Sequence, residues 1–192
     1  ISSSTTLGTT TASSKGAFSF TPASAIEDGN YSIKATATDS AGNISSKSAS
    51  ISITIDTSAP DAPTSLSTPS SITNNSTPTI TGNAEPSSKV TLFIDSSVLG
   101  TTTASTKGAF SFTPSFEIQD GNYSLKATAT DSAGNISSES DSISITIDTT
   151  SPDAPSSLAT SSSITNNSTP TITGNAEPSS KVTLFIDSSV LG

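Results

Sequence analysis

The thirty residues SITNNSTPTITGNAEPSSKVTLFIDSSVLG stand twice in this chain, at 71–100 and again at 163–192, without one difference. The same offset of 92 relates Gly8 to Gly100, Asp28 to Asp120, Asp39 to Asp131 and Asp56 to Asp148, with no gap. A faithful internal repeat constrains a fold more than composition does, because every copy must solve one packing problem in one way. A period of 92 exceeds the 20–50 residues of solenoid units and matches a whole small domain. The chain therefore reads as the rear part of one domain (1–57), a complete domain (58–149) and the front part of a third (150–192). It starts and stops inside a repeat, so the repeats are expected to continue in both directions.

Within the middle copy, apolar residues alternate with Ser and Thr. YSLKATATD puts Tyr123, Leu125, Ala127 and Ala129 on one face and Ser124, Lys126, Thr128 and Thr130 on the other. SISITID places Ile143, Ile145 and Ile147 together, KVTLFID does so for Val90, Leu92 and Ile94, and AFSF pairs Phe110 with Phe112. Period two with β-branched residues predicts half-buried antiparallel strands, and no segment carries a helical period. Turn signals fall between the runs at NNST, AEPSS, TKG, DGN and SAGN. The predicted strands are 66–73, 77–83, 89–95, 98–105, 109–114, 122–131 and 142–149. About seven strands per repeat is the count of an immunoglobulin-like β-sandwich, so the expected fold is all-β, as tandem sandwiches. Tyr123, just after DGN, stands where a tyrosine corner bonds its hydroxyl back to nearby backbone.

Composition narrows the chemistry. There is no Cys, His, Met or Trp. Disulfides, thiolate metal sites, the commonest general base and the commonest transition-metal ligand are all absent. No Ser stands in a Gly-flanked elbow, and no enzyme is expected. The formal charge is −9 with no basic patch, so nucleic acid is not an expected partner. No apolar run approaches the roughly 20 residues of a membrane span. ISSSTTLG has neither the basic nor the apolar region of a signal peptide, and none is expected there. A core of Ile, Val, Leu, Phe and Ala without a disulfide is thin, so outside help with stability is expected.

Of the 16 acids, 12 occupy six positions that occur twice: Asp28/Asp120, Asp39/Asp131, Asp56/Asp148, Asp61/Asp153, Glu85/Glu177 and Asp95/Asp187. Alternating strand directions predict where they meet. The loop holding Glu85 and the loop holding Asp131 and Asn135 both fall at the end of the domain where the linker DTSAPDAP arrives with Asp56 and Asp61. Four carboxylates and one amide converging there would repel without a cation among them. Oxygen-only ligands in irregular geometry suit calcium better than magnesium. The two linker acids would then clamp an ion between consecutive domains, with the prolines limiting the spacer's freedom.

Each acid also has a plainer reading. DSAGN forms a good turn whatever it binds. Glu85 could pair with Lys89, and Asp56 and Asp61 could keep a linker soluble. Asp120 reads as a corner residue and Asp95 as a turn residue. The sequons in NNST and NYS are discounted as chance in a Ser/Thr/Asn-rich chain. The Thr36/Thr38 and Thr128/Thr130 rows are explained by β-propensity before any ice- or sugar-binding face.

Taken together, DTTSPDAP, TPTITGNAEP, VTLFID, GNYSLKATATDSAGN and SISITID resemble the bacterial immunoglobulin-like repeats of giant surface adhesins. These include biofilm-associated proteins exported by type I secretion. The resemblance spans the chain. It implies an extracellular place on the bacterial surface, tandem domains with calcium at the junctions, and export of an unfolded chain that folds on meeting external calcium. Carried over by motif, the junction ligands would be Asp56, Asp61, Glu85, Asp131 and Asn135, recurring as Asp148, Asp153 and Glu177. The expected role is a stalk segment whose partners are neighbouring repeats, with surface glycans or proteins met through regions not present here. The rival readings are a self-assembling filament or sheath, and repeats that themselves bind glycan or ice; only Phe93 and Phe116 offer aromatic candidates for the latter.

Overall fold

The computed structural model describes residues 5–186, and among these there is no helix. In chain order the strands are β1 (Gly29–Ile33), β2 (Ile51–Ile55), β3 (Thr64–Ser67), β4 (Ile72–Thr73), β5 (Ile80–Asn83) and β6 (Lys89–Ile94). There follow β7 (Ser97–Thr103), β8 (Ala109–Phe112), β9 (Gly121–Thr130), β10 (Ile143–Ile147), β11 (Ser156–Thr160) and β12 (Ile172–Asn175). Asp187, the counterpart of Asp95, lies outside the described residues.

The middle unit is a two-layer sandwich. A three-stranded sheet of order β3-β5-β8 faces a five-stranded sheet of order β4-β10-β9-β6-β7. All neighbours are antiparallel except β4, which runs parallel to β10. This is the expected immunoglobulin-like arrangement. The alternation read from sequence sets the inner face: Val90, Leu92, Leu125, Ala127, Ala129, Ile145 and Ile147 are buried, with Ile80 and Phe110 opposite them. Each such large side chain contributes roughly 1.5–3 kcal/mol by leaving water. Tyr123 Oη donates to the Gln119 carbonyl at 3.0 Å, and Tyr31 repeats this with Glu27 at 2.8 Å, so the tyrosine corner forms in both copies.

Two features were not legible in the strand list read off the sequence. The first predicted strand, 66–73, is two short strands on different sheets, β3 and β4. Pro69 between them has no N–H to give a ladder, and Ser65 at φ 54° sits in an irregularity of the β3–β5 pairing. The last strand forms within its predicted bounds, but β10 pairs only with Gly121–Leu125, so the far half of β9 runs past it. Serine side chains fill in. Ser140 Oγ accepts the Ala127 N–H at 3.0 Å and Ser137 Oγ accepts the Ala129 N–H at 2.9 Å. Both serines are buried.

The flanking segments repeat parts of this plan. β1 and β2 pair antiparallel as β9 and β10 do, and β11 and β12 pair as β3 and β5 do. The irregularity in β3 recurs in β11, where Ser157 also has φ 54°.

Candidate functional site

The pairing directions carry the β5–β6 turn with Glu85, and the β9–β10 connection with Asp131 and Asn135, to the end of the middle unit where linker 56–63 enters. One direct contact joins the two sides. Asn135 Nδ2 donates to the Asp56 carbonyl at 3.0 Å. The linker is also packed: Pro60 and Pro63, both ahead of β3, are buried.

Asp131 organises its own loop. Its Oδ1 accepts the N–H groups of Ala133, Gly134 and Asn135 at 2.8, 2.7 and 2.9 Å. Its Oδ2 accepts Asn135 Nδ2 at 2.8 Å. The Asn135 amide, helped by the three backbone N–H groups, holds this carboxyl below the ordinary carboxylate range. Asp39 does the same with Ala41 and Asn43, and its carboxyl is lowered chiefly by the Asn43 amide. DSAGN is therefore a self-closed turn in both copies. In the middle unit the same Asn135 amide that closes the turn also reaches the linker.

The remaining predicted ligands are placed as follows. Asp56 Oδ1 accepts the Ser58 N–H at 3.1 Å, and Asp148 Oδ1 accepts the Thr150 N–H at 3.1 Å, so each shapes the start of its linker. Asp61 and Glu85 are exposed, and the Glu85 carbonyl accepts the Ser88 N–H at 3.1 Å. Asp153 and Glu177, their counterparts, line one hollow of about 360 Å³ together with Asn175 and Pro178. Among the described residues no three acids stand close enough to make a ready cation cage. Lys89 does not pair with Glu85; the ion pair of the described residues is Lys126 Nζ to Glu139 Oε2 at 2.8 Å. Asp95, at φ 51°, occupies the β6–β7 turn, and its Oδ1 accepts the Ser124 N–H at 3.0 Å. The donor chemistry suits a hard cation, since every candidate side chain offers oxygen.

Sequence reasoning passed over one pair of residues at this junction. Asp120, read as a corner residue, and its counterpart Asp28 also bind the chain as it leaves their unit. Asp28 Oδ1 accepts Thr57 N and Thr57 Oγ1 at 3.0 and 2.8 Å, and its Oδ2 accepts Ser58 Oγ at 2.9 Å. Asp120 Oδ1 accepts Thr149 N and Oγ1 at 3.0 and 2.8 Å, and its Oδ2 accepts Thr150 Oγ1 at 3.0 Å. The threonine hydroxyl is the largest cause holding each carboxyl below its usual range. The available signal was the hydroxyl that follows Thr57 and Thr149 in both linkers.

Residues 1–57 and 59–149 each match the family model described as a bacterial Ig-like domain. No curated protein sequence matches the chain. Among solved structures, the tetra-tandem repeat in the extending region of a large adhesion protein is 24% identical, at a TM-score of 0.42. That match covers 78% of this chain and 39% of the other. A Ca2+-stabilized adhesin that helps an Antarctic bacterium reach out and bind ice is 23% identical, at a TM-score of 0.33, covering 66% of this chain and 33% of that one. The chain thus spans well under half the length of either.

Proposed function

The chain belongs to the bacterial Ig-like domain family, and from that membership we propose that it is a length of extender stalk in a long bacterial surface adhesin. Its work is reach and stiffness outside the cell, in support of adhesion or biofilm formation. The observation that carries this reading is the engaged linker: Asn135 holds the Asp56 carbonyl, while Pro60 and Pro63 are buried. A spacer meant as a free hinge would leave its backbone and prolines in water. In this reading 58–149 is one full unit, 1–57 the rear of a unit and 150–192 the front of another. The two-sheet sandwich of the middle segment and the single paired sheets on either side support that division.

Calcium at the junctions is the second part of the proposal. Asp56, Asp61, Glu85, Asp131 and Asn135 would hold it at one junction, and Asp148, Asp153 and Glu177 would contribute at the next. Support comes from the oxygen-only donors and from the Asn135 amide, which draws the Asp56 carbonyl and the Asp131 carboxylate to one point at the junction. When bound, the ion would neutralise acids that otherwise repel and would add stability by mass action. Export as an unfolded chain that folds on meeting external calcium belongs to the same reading.

The test is small-angle scattering of the full chain with calcium and with chelator. A rod of repeat-to-repeat length in both conditions, more uniform with calcium, is expected. An unchanged profile removes calcium from the proposal, and a coiled, broad profile in both removes the stalk.

A further inference from the structure

The linker is fastened from both sides by side chains, and none of these contacts calls for an ion. From the preceding unit, the Asp28 carboxylate takes Thr57 N, Thr57 Oγ1 and Ser58 Oγ. From the following unit, Asn135 takes the Asp56 carbonyl. Three successive linker residues, Asp56, Thr57 and Ser58, are thereby bonded to two different units. We infer that Asp28, and Asp120 at the next junction, are positioning residues of a metal-independent latch that fixes the direction in which the chain leaves each unit.

Three observations favour a latch over an ordinary corner. Asp28 stands one residue beyond the Gly29–Ile55 pair, so its carboxylate lies beside the point where the chain leaves β2 and bonds the first two residues after Asp56. Both of its oxygens are engaged there, so the linker is gripped at two points and cannot swivel about one bond. The geometry also survives a change of sequence. Position 58 is Ser and position 150 is Thr, yet each gives a hydroxyl to Oδ2 of its aspartate. At the next position a hydroxyl is present in one copy only, Ala59 standing against Ser151. A carboxylate accepting three N–H and O–H donors is a strong, directional acceptor.

The latch goes beyond the calcium reading and is measured with the metal removed, so the two fail separately. The chain has no Cys. Ser52→Cys on β2 and Ser144→Cys on β10 therefore supply two exposed spin-label positions in neighbouring units of the full chain. In chelator, pulsed dipolar spectroscopy is expected to give a narrow distance distribution. Asp28→Ala is expected to make it at least about twofold wider, because a short unanchored spacer behaves as a flexible segment. Thr57→Val combined with Ser58→Ala removes the two hydroxyl donors and leaves the corner carboxylate intact. It is expected to widen the distribution in the same direction, which guards against a mere folding defect in Asp28→Ala. Equal widths for the parent chain and the Thr57/Ser58 variant would overturn the latch. A parent chain already as broad in chelator as Asp28→Ala would overturn it too. Narrowing of the parent by added calcium reads the metal proposal alone.

Discussion

Asn135 Nδ2 lies 3.0 Å from the carbonyl oxygen of Asp56, a residue 79 positions earlier in the chain. The same amide closes the Asp131 loop at 2.8 Å. A turn that any immunoglobulin-like sandwich needs between its last two strands thus doubles as the landing for the incoming linker. Removing the amide separates the two duties. Asn135→Ala is expected to cost the middle unit about 1 kcal/mol, the worth of an ordinary hydrogen bond. It is expected to widen the distance distribution between labels at 52 and 144. Denaturant unfolding and dipolar spectroscopy on one variant check both, and a stability loss without widening would show that the amide serves the turn alone.

Asp61→Ala with Glu85→Ala is expected to shrink the rise in melting temperature that calcium produces, while Asp141→Asn, an acid outside the recurring positions, leaves that rise intact. At calcium about 100-fold above its dissociation constant the stabilisation is about 2.7 kcal/mol, enough for a shift of several degrees. Differential scanning calorimetry in calcium and in chelator reads it. Identical calcium responses in both variants would remove Asp61 and Glu85 from the ligand set.

Gly82 sits in β5 opposite Phe110 of β8, whose ring lies across it. A Cβ built there would come within 2.6 Å of Phe110 Cζ and 3.1 Å of the Thr64 carbonyl. Gly82→Ala is expected to destabilise the unit by about 1–3 kcal/mol through overpacking. Pairing it with Phe110→Leu should recover part of that loss, since the two residues touch. Urea unfolding of the two single variants and the double variant measures the coupling; strict additivity would show that the ring is not what excludes the side chain.

Ser140 is 7% exposed, and its hydroxyl accepts the Ala127 N–H where no strand is present to do so. Ser140→Ala leaves that buried donor without a partner, at an expected cost of about 1–3 kcal/mol. Ser138→Ala, on an exposed neighbour, is expected to stay within about 0.5 kcal/mol. Equal melting temperatures for the two variants would mean that water or backbone replaces the bond.

Much of this was already written in the order of residues. The 92-residue period established that neighbouring segments share one plan. Alternation in YSLKATATD, SISITID and KVTLFID chose the faces of β9, β10 and β6, because side chains on a pleated strand leave no other choice of side. Tyr123 declared its corner through its place after DGN. Local chemistry suffices for such features, since each is decided within a few residues. The three-dimensional fold alone decided the rest. The first strand divides at Pro69 because two sheets compete for it. Ser137 and Ser140 stand in for a strand because β9 outruns β10. Asp28 grips Thr57 and Ser58, and Asn135 meets Asp56, across 29, 30 and 79 residues of intervening chain. A hydrogen bond depends on distance in space, and no short-range pattern records which turn will face which linker once the sandwich has closed.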